Sequence, residues 1–456
     1  MLNKIIKIVL LSFLLISLNA CGGSSYSLSI DEEATDTLSR MPASADSLRM
    51  VWLVNESTQM AGYTSDFGSE YLRTRASLFQ FVMQEFGKEQ SEIQLVRRRK
   101  QTESISHDAF ESLIRYPAQI QHYEVTSENQ LVELALELVK DENTLVFLLS
   151  NGIMSYNADS VLNNLLATND EDILLNNIIN IHNLPSSAFR KRVLEDKNLG
   201  ISLFAFESQF DGMYFNAKFI KRGNSLQKAL YNINDPKRPF YLWVFGDATR
   251  LGELQAKIEN QVKPIHTFNW GLSFDSQSTP QFLNTAKSQS QSYLSGNTVQ
   301  NLDLTSKASI TMAIDLSQLP SSLVDSSFLN SESVRTVHGI LPATHGRFEP
   351  FVVAALDDVD ADLVMGKNFT HRVSLDIGPL QTPDIHEARF ELVFTSIQDG
   401  SWLDTISIAD DRDKNETLGK TFGIHILADE LDELFNDRSE MFKIKFKVQS
   451  DQNNQP

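Results

Sequence analysis

The sequence predicts an α/β fold: a doubly wound, mostly parallel sheet followed by a β-rich, antiparallel sandwich-like second domain. Three observations carry that expectation. The first half alternates continuous apolar runs with segments of helical spacing. The second half has strand-like runs between turn signals, and a stretch rich in Ser, Gln, Asn and Thr separates the two. With 456 residues, 41% of them hydrophobic, the chain is long enough for two domains and apolar enough for a real core.

The N-terminus reads as an export signal. Lys4 and Lys7 supply a basic start, residues 5–18 are almost unbroken apolar sequence without an acid, and Leu18-Asn19-Ala20-Cys21 follows. The apolar run is too short for a lasting membrane span. The tetrapeptide resembles the bacterial lipobox, in which the cysteine thiol receives a diacylglyceryl group and becomes the new N-terminus. That resemblance implies cleavage after residue 20, lipidation of Cys21 and a lipid anchor in the bacterial cell envelope. Gly22, standing where an aspartate would signal inner-membrane retention, favours the outer membrane, facing the periplasm or the cell surface. One acyl chain anchors marginally, whereas two or three anchor stably. Cys21 is the only cysteine, which excludes an internal disulfide and a thiolate metal site. Loss of residues 1–20 removes two lysines and no acid, so the formal charge of −19 becomes −21. Such a surface repels nucleic acid and anionic lipid headgroups, so neither is expected as a general partner.

Residues 21–45, rich in Ser, Asp, Glu and Thr, read as a flexible tether between lipid and fold. The first domain spans 46–262. Residues 49–55 form an apolar run fit for a buried strand. Residues 70–87 carry Leu72, Ala76, Phe79, Val82, Met83 and Phe86 at helical spacing, with Gly87 placed to end the helix. Residues 93–96 are a second strand. Ser127 with Gln130 forms a capping-box pattern before a helix burying Leu131, Leu134, Ala135 and Leu138. Strands follow at 144–149, 201–206 and 240–245, the last with Phe240, Tyr241 and Trp243 as core residues, and a helix occupies 248–260. Continuous apolar strands between amphipathic helices indicate a parallel sheet covered on both faces. Ligands of such sheets sit at the carboxyl ends of the strands. The polar turns at 55–59, 150–152 and 207–212 all fall on that edge.

Residues 263–306 read as a polar linker or extended segment, 307–450 as the β-rich domain and 451–456 as a disordered tail. Strand-like runs occupy 309–315, 372–376, 388–394, 421–426 and 441–448, with one short helix at 429–435.

The run Val51-Trp52-Leu53-Val54-Asn55-Glu56-Ser57-Thr58-Gln59-Met60-Ala61-Gly62 resembles the opening strand and turn of von Willebrand factor A (vWA) domains, where a hydrophobic run leads into Asp-x-Ser-x-Ser. Leu145-Val146-Phe147-Leu148-Leu149-Ser150-Asn151-Gly152 resembles the family's fourth strand and its Asp-Gly turn. The resemblance extends over residues 46–262 in the order and spacing of elements. The segments 206–215 and 238–246, with Lys420-Thr421-Phe422-Gly423, resemble phrases of uncharacterised bacterial envelope proteins that carry such a region.

In metal-binding members two aspartates, two serines and a loop threonine surround a divalent cation. Here Asn55 and Asn151 stand in the aspartate positions, Ser57 is kept, Gln59 replaces the second serine, and Thr126 stands for the loop threonine. Amides in place of both carboxylates remove the charge that would offset dehydration of a hard cation. The resemblance therefore implies a degenerate site with no metal and no cofactor. The binding edge expected from this reading comprises Asn55, Ser57, Gln59, Thr126, Asn151, Glu207 and Asp211. Glu56 joins it only if the backbone turns directly after Asn55, because neighbouring strand residues face opposite ways.

No Gly-x-Ser-x-Gly elbow, P-loop, dinucleotide fingerprint or His-Glu-x-x-His helix is present, and no two of the nine histidines stand four apart. Two acidic runs stand out: Asp357, Asp358, Asp360 and Asp362, and Asp410, Asp411, Asp413, Asn415 and Glu416. The second begins like a calcium loop, but Glu416 occupies the glycine position and Phe422 that of the closing acid, so a solvated loop is expected. Arg97, Arg98, Arg99 and Lys100 form a basic cluster that reads as a solvated strand end. The function expected is that of a non-enzymatic envelope lipoprotein that recognises a protein partner, not nucleic acid, through the carboxyl edge. Carbohydrate or peptidoglycan binding by the β-rich domain is the rival reading, resting on fold analogy. A hydrolase with a dispersed site ranks last.

Overall fold

The first strand lies where a flexible tether was expected. The computed structural model describes residues 25–30, 48–98, 101–122, 128–154, 187–222, 225–272, 280–284, 292–317, 319, 324, 329, 334–339, 343–350, 369–379, 387–395, 401–411, 413–435 and 440–450. In it Ser25–Ile30 is a strand, β1, with Tyr26, Leu28 and Ile30 buried and the intervening serines half-buried. That is the period of two that a half-covered strand needs. Its serine content hides the alternation from a compositional reading.

A seven-stranded sheet follows. It is built from β2 (Arg49–Asn55), β3 (Ser91–Arg98), β4 (Gln101–Ile105), β5 (Thr144–Ser150), β6 (Leu199–Arg222), β7 (Ser225–Asp247) and β8 (His266–Trp270), in the order β4-β3-β2-β5-β7-β6-β8. The helices among them are α1 (Glu70–Glu85), α2 (His107–Arg115), α3 (Glu128–Leu138), α4 (Ser187–Glu195) and α5 (Ala248–Val262). Local chemistry sets their ends. Ser69 Oγ accepts the Leu72 amide at the start of α1, and Gly87, at φ +68°, follows its end. Asp247 accepts the Thr249 and Arg250 amides at the start of α5.

The protein is mixed α/β, and the expectation of a mostly parallel sheet needs correction. β2 runs parallel to β3 and β5, but the pairings β3–β4, β5–β7, β6–β7 and β6–β8 are antiparallel. The physical reason lies in the connection. Parallel neighbours need a crossover of a dozen or more residues, whereas β6 and β7 are separated by two residues and pair as a hairpin. The expected turn at 207–212 is therefore strand: Glu207 pairs with Pro239 and Asp211 with Asn234. The sheet partners of this hairpin stop at Ala205 and Tyr241, so beyond them β6 and β7 leave the sheet as a two-stranded ribbon.

The remaining strands are β9 (Gln281–Asn284), β10 (Tyr293–Ser295), β11 (Thr298–Asp303), β12 (Ala308–Ile314), β13 (Val334–Gly339), β14 (Ala343–Pro350), β15 (His371–Ile377), β16 (Glu387–Thr395), β17 (Ser407–Ile408), β18 (Thr421–Phe422) and β19 (Glu440–Ser450). Two antiparallel sheets use most of them, in the orders β10-β11-β1-β19-β16-β13 and β14-β15-β12-β9. Phe282 of β9 and Phe446 of β19 meet between them, with ring centroids 6.3 Å apart. The segment 263–306 is thus no linker. It supplies β8 to β11, with Phe282, Val299 and Leu302 buried.

The chain then returns to the seven-stranded sheet with α6 (Ser401–Ile406), β17, β18 and α7 (Ile424–Phe435). Trp402 stacks on His266, Trp270 Nε1 donates to Asp432 at 2.8 Å, and Arg190 pairs with Glu430 at 2.5 Å. Gly271, at φ +65°, admits the Phe435 ring where a Cβ would come within 2.5 Å of it. The strand expected at 421–426 ends after Phe422, because Gly423 turns the backbone to φ +79° and α7 starts at Ile424. Residues 1–24, Cys21 among them, and 451–456 lie outside the described residues. Among the described residues no helix is long and apolar enough to cross a membrane.

If β1 is part of the fold, Leu28→Ala is expected to lower unfolding stability by about 2–4 kcal/mol, the cost of emptying a buried leucine site. Urea denaturation of the two chains measures it. A difference near zero would return β1 to the role of a free tether.

Candidate functional site

Because β2 and β5 run side by side and parallel, with Val54 opposite Leu149, the turns that follow them meet at the carboxyl edge. Asn55 closes β2, and its Oδ1 accepts the Ser57 amide at 3.0 Å, which turns the backbone into a 3-10 segment at Thr58–Tyr63. Asn151 does the same after β5: its Oδ1 accepts the Ile153 amide at 3.3 Å, while its Nδ2 donates to Gln59 Oε1 at 3.5 Å. Asn55, Ser57, Gln59 and Asn151 are thus brought together as the sequence led us to expect. Thr126 lies outside the described residues. Glu207 and Asp211 are strand residues of the ribbon; Glu207 pairs with Lys237 at 3.7 Å, and Asp211 is exposed.

The four residues brought together do not form an open surface. Each is at most 3% exposed. The ribbon covers one side: Phe210 lies so close over Gly62 that a Cβ there would sit 2.5 Å from its ring, and Gly212 packs on the Gly62 backbone. Tyr63 donates to the Pro239 carbonyl. The returning segment covers the other side, where Tyr241 donates to Thr421 Oγ1 at 3.0 Å and the Met154 amide to the Phe422 carbonyl at 3.2 Å. Gly152, at φ +68°, leaves room for Tyr241 and Thr421. Arg238 joins the two covers. It donates to the carbonyls of Thr417 at 3.1 Å and Lys420 at 3.0 Å, pairs with Asp235, and lies 4.3 Å over the Tyr214 ring. Asp235 in turn accepts the Gly419 amide at 2.7 Å.

Three buried charged groups lie beside the edge: Glu56, which the sequence admitted only if the backbone turned directly after Asn55, as it does, and Arg75 and Glu128, which were not singled out. Glu56 and Arg75 pair at 2.7 Å with almost no exposure, and Arg75 also lies 4.6 Å over the Phe110 ring. Burial raises the Glu56 pKa, and the Arg75 charge opposes that rise. The signal for Arg75 was available: it stands three residues after Leu72 and four before Phe79, within the apolar face of α1. Glu128 is the third. Its Oε1 accepts Ser150 Oγ and Trp243 Nε1, both at 2.6 Å. Burial pushes its carboxyl up from 4.5 to about 7, against hydrogen bonds from Ser150, Trp243 and the Gly152 amide. Glu128 lies three residues before Leu131, on the face already assigned to the core.

Among the described residues no three His, Cys, Asp or Glu side chains are placed to share a metal ion. The carboxylates around the edge have protein partners: Arg75 for Glu56, Ser150 and Trp243 for Glu128, Arg238 for Asp235, and the Tyr214 hydroxyl for Asp411. The run from 410 to 416 is divided in the same way. Asp411 is buried against Tyr214, whereas Asp410, Asp413 and Glu416 line a cleft of about 500 Å³ with Tyr231 and Lys414. Asp413 caps its own turn by accepting the Asn415 amide. The run at 357–362, together with Arg99 and Lys100, falls outside the described residues.

The buried charges give two expected outcomes. Glu128 holds its proton more tightly in the folded chain than in the unfolded one, so its stabilisation is complete below about pH 4.5 and is lost as the pH rises through about 7. Urea unfolding between pH 5 and pH 8 should show a loss on the order of 3 kcal/mol from this group. Glu128→Gln, whose Oε1 still accepts both donors, should remove that component. Arg75→Met leaves the Glu56 carboxyl buried and unpaired, and should cost about 3–5 kcal/mol near neutral pH, as measured by the same method.

No protein-family model, no curated protein and no solved structure matches the chain.

Proposed function

We propose that the chain is a non-enzymatic envelope lipoprotein, lipidated on Cys21 and held at the outer membrane, in which a vWA-like α/β unit and a β-sandwich-like unit form a scaffold for a protein partner. The block β4-β3-β2-β5, parallel inside with an antiparallel edge strand, supports the vWA-like reading, as do the Asn-x-Ser-x-Gln and Asn-Gly turns that meet at its carboxyl end. The two antiparallel sheets joined through Phe282 and Phe446 support the sandwich reading.

One observation carries the functional reading. Asn55, Ser57, Gln59 and Asn151, which in the family's metal-binding members would face a cation and its ligand, are closed over by the ribbon and by residues 417–422 of the same chain. The carboxyl edge grips the protein's own segments, and an external partner meets the exposed surface beyond it. This revises the expectation of recognition at the bare edge. Carboxamides suit that role because they are buried without a counter-ion: Asn151 bonds through both its oxygen and its nitrogen, Asn55 through its oxygen alone.

Calorimetry with Mg²⁺ or Mn²⁺ is expected to show no saturable uptake. Tight uptake that disappears in Asn55→Ala or Asn151→Ala would overturn the scaffold reading. The anchor is tested separately: Cys21→Ser is expected to move the protein from the membrane fraction to the soluble one. A pull-down from envelope extracts should retrieve a specific protein, and an empty one would argue against a partner.

A further inference from the structure

The place and direction of β1 decide which end of the molecule a chain anchored at Cys21 brings to the bilayer. The strand is held from its first residues: Ser25 pairs with Asp303 of β11, Tyr26 pairs with Leu302 of β11 and Ser450 of β19, and the Tyr26 side chain is buried. β1 lies inside a six-stranded sheet, so drawing it out would leave backbone groups of both neighbours unpaired. The register gathers one end of the two antiparallel sheets around Ser25. β11 ends there at Asp303, β19 ends at Ser450, and β16 begins at Glu387, opposite Gln449. Residues 304–307 cross from this end to the second sheet, where Ala308 opens β12 opposite Ile377 at the end of β15. Leu304 is buried within the crossing, whereas Thr305, Ser306 and Lys307 are exposed.

The described charges at this end are matched. Lys307 pairs with Asp376 at 2.8 Å, and Glu387 pairs with Arg389 and Lys447, both at 3.3 Å. Asp303 accepts the Thr305 amide at 2.9 Å. Three acids (Asp303, Asp376 and Glu387) against three bases (Lys307, Arg389 and Lys447) give this end a formal charge of zero, on a chain of −19.

We propose that this end of the two sheets, around Ser25 and the crossing at 304–307, faces the lipid headgroups, with β1 and β11 directed away from the bilayer. The proposal rests on the anchoring reading given above. Ser25 follows Cys21 by four residues, a reach of at most about 14 Å, so the start of β1 stays close to the acylated cysteine. The other end of β11, at Thr298, lies about 17 Å further along the strands. The tether sets the orientation, since an acidic chain is not drawn to anionic headgroups. An end whose charges cancel meets no net repulsion when it is held there. Its exposed Thr305, Ser306 and Gln449 carry hydroxyl and amide groups that can exchange water for headgroup oxygens.

The test uses the acylated chain in vesicles. Cys21 carries the lipid, so Ser306→Cys and Ser295→Cys, both at exposed positions, each supply one free thiol for a fluorophore. Ser295 pairs with Thr298 and marks the opposite end. A nitroxide on the lipid headgroups should quench the label at position 306 at least about twofold more than at position 295, given about 17 Å between the two ends. A Gly/Ser insertion of about 20 residues after Ser24, spanning about 25 Å on average, should remove the difference. Equal quenching at the two positions, stronger quenching at 295, or a difference that survives the insertion would overturn the proposal. Unchanged unfolding midpoints establish that the labelled variants are folded. Flotation with the vesicles reads the anchor by itself: a natural chain that does not float loses both the anchor and the orientation, whereas a floating chain with equal quenching loses the orientation alone.

Discussion

A guanidinium taken out of water needs acceptors and a counter-charge, and Arg238 obtains them from parts of the chain far apart in sequence. Its own strand supplies Asp235, the ribbon supplies the Tyr214 ring, and the returning C-terminal segment supplies the carbonyls of Thr417 and Lys420. Removing any one of these would leave buried charge or buried carbonyls without partners, so the covers over the sheet edge stand or fall together. The site's character follows from this. The turns after β2 and β5 are covered by the chain's own segments.

Much of the α/β region was legible because its strands are continuous apolar runs and its helices carry periodic apolar faces. The run at 49–55 is β2, 144–149 lies within β5, and the helices expected at 70–87 and 248–260 are α1 and α5 to within two residues at their ends. Strand direction was not legible. A strand buried on both faces shows the same unbroken apolar run whether its neighbour is parallel or antiparallel, so Ile201–Phe206 and Phe240–Phe245 carry no directional signal. The polar run at 207–212 looked like a turn because the ribbon has left the sheet there, and its residues alternate between Phe210 inside and Asp211 in water. β1 was obscured for a related reason: three serines on its outer face gave it the composition of a tether, and only its partners β11 and β19, distant in sequence, make it a strand.

The polar groups of the edge divide in the same way. Asn55, Ser57, Gln59 and Asn151 were found because they sit in contiguous turns, and a turn is a local property of sequence. Glu56–Arg75 and the Glu128 bonds to Ser150 and Trp243 were missed because each joins residues from separate elements. A single charge inside an apolar face, such as Arg75 between Leu72 and Phe79, indicates that a partner exists without identifying it. The partner becomes visible only when the parallel pairing of β2 with β5 fixes where the edge lies.

The neutrality of the edge and its burial are one fact seen twice. Carboxylates at positions 55 and 151 would put two further negative charges beneath Tyr241, Thr421 and the ribbon, next to Glu56 and Glu128, whose charged forms burial already disfavours. Covered by Tyr241 and Thr421 beside Gly152, such charges would have no solvent to offset them. With amides there, the two turns can hydrogen-bond within themselves, and the hydrophobic contacts of Phe210, Tyr63 and Tyr241 can close over them. The edge is in this way sealed by the chain's own segments, and the charges buried with it, Glu56 with Arg75 and Asp235 with Arg238, are paired within the chain.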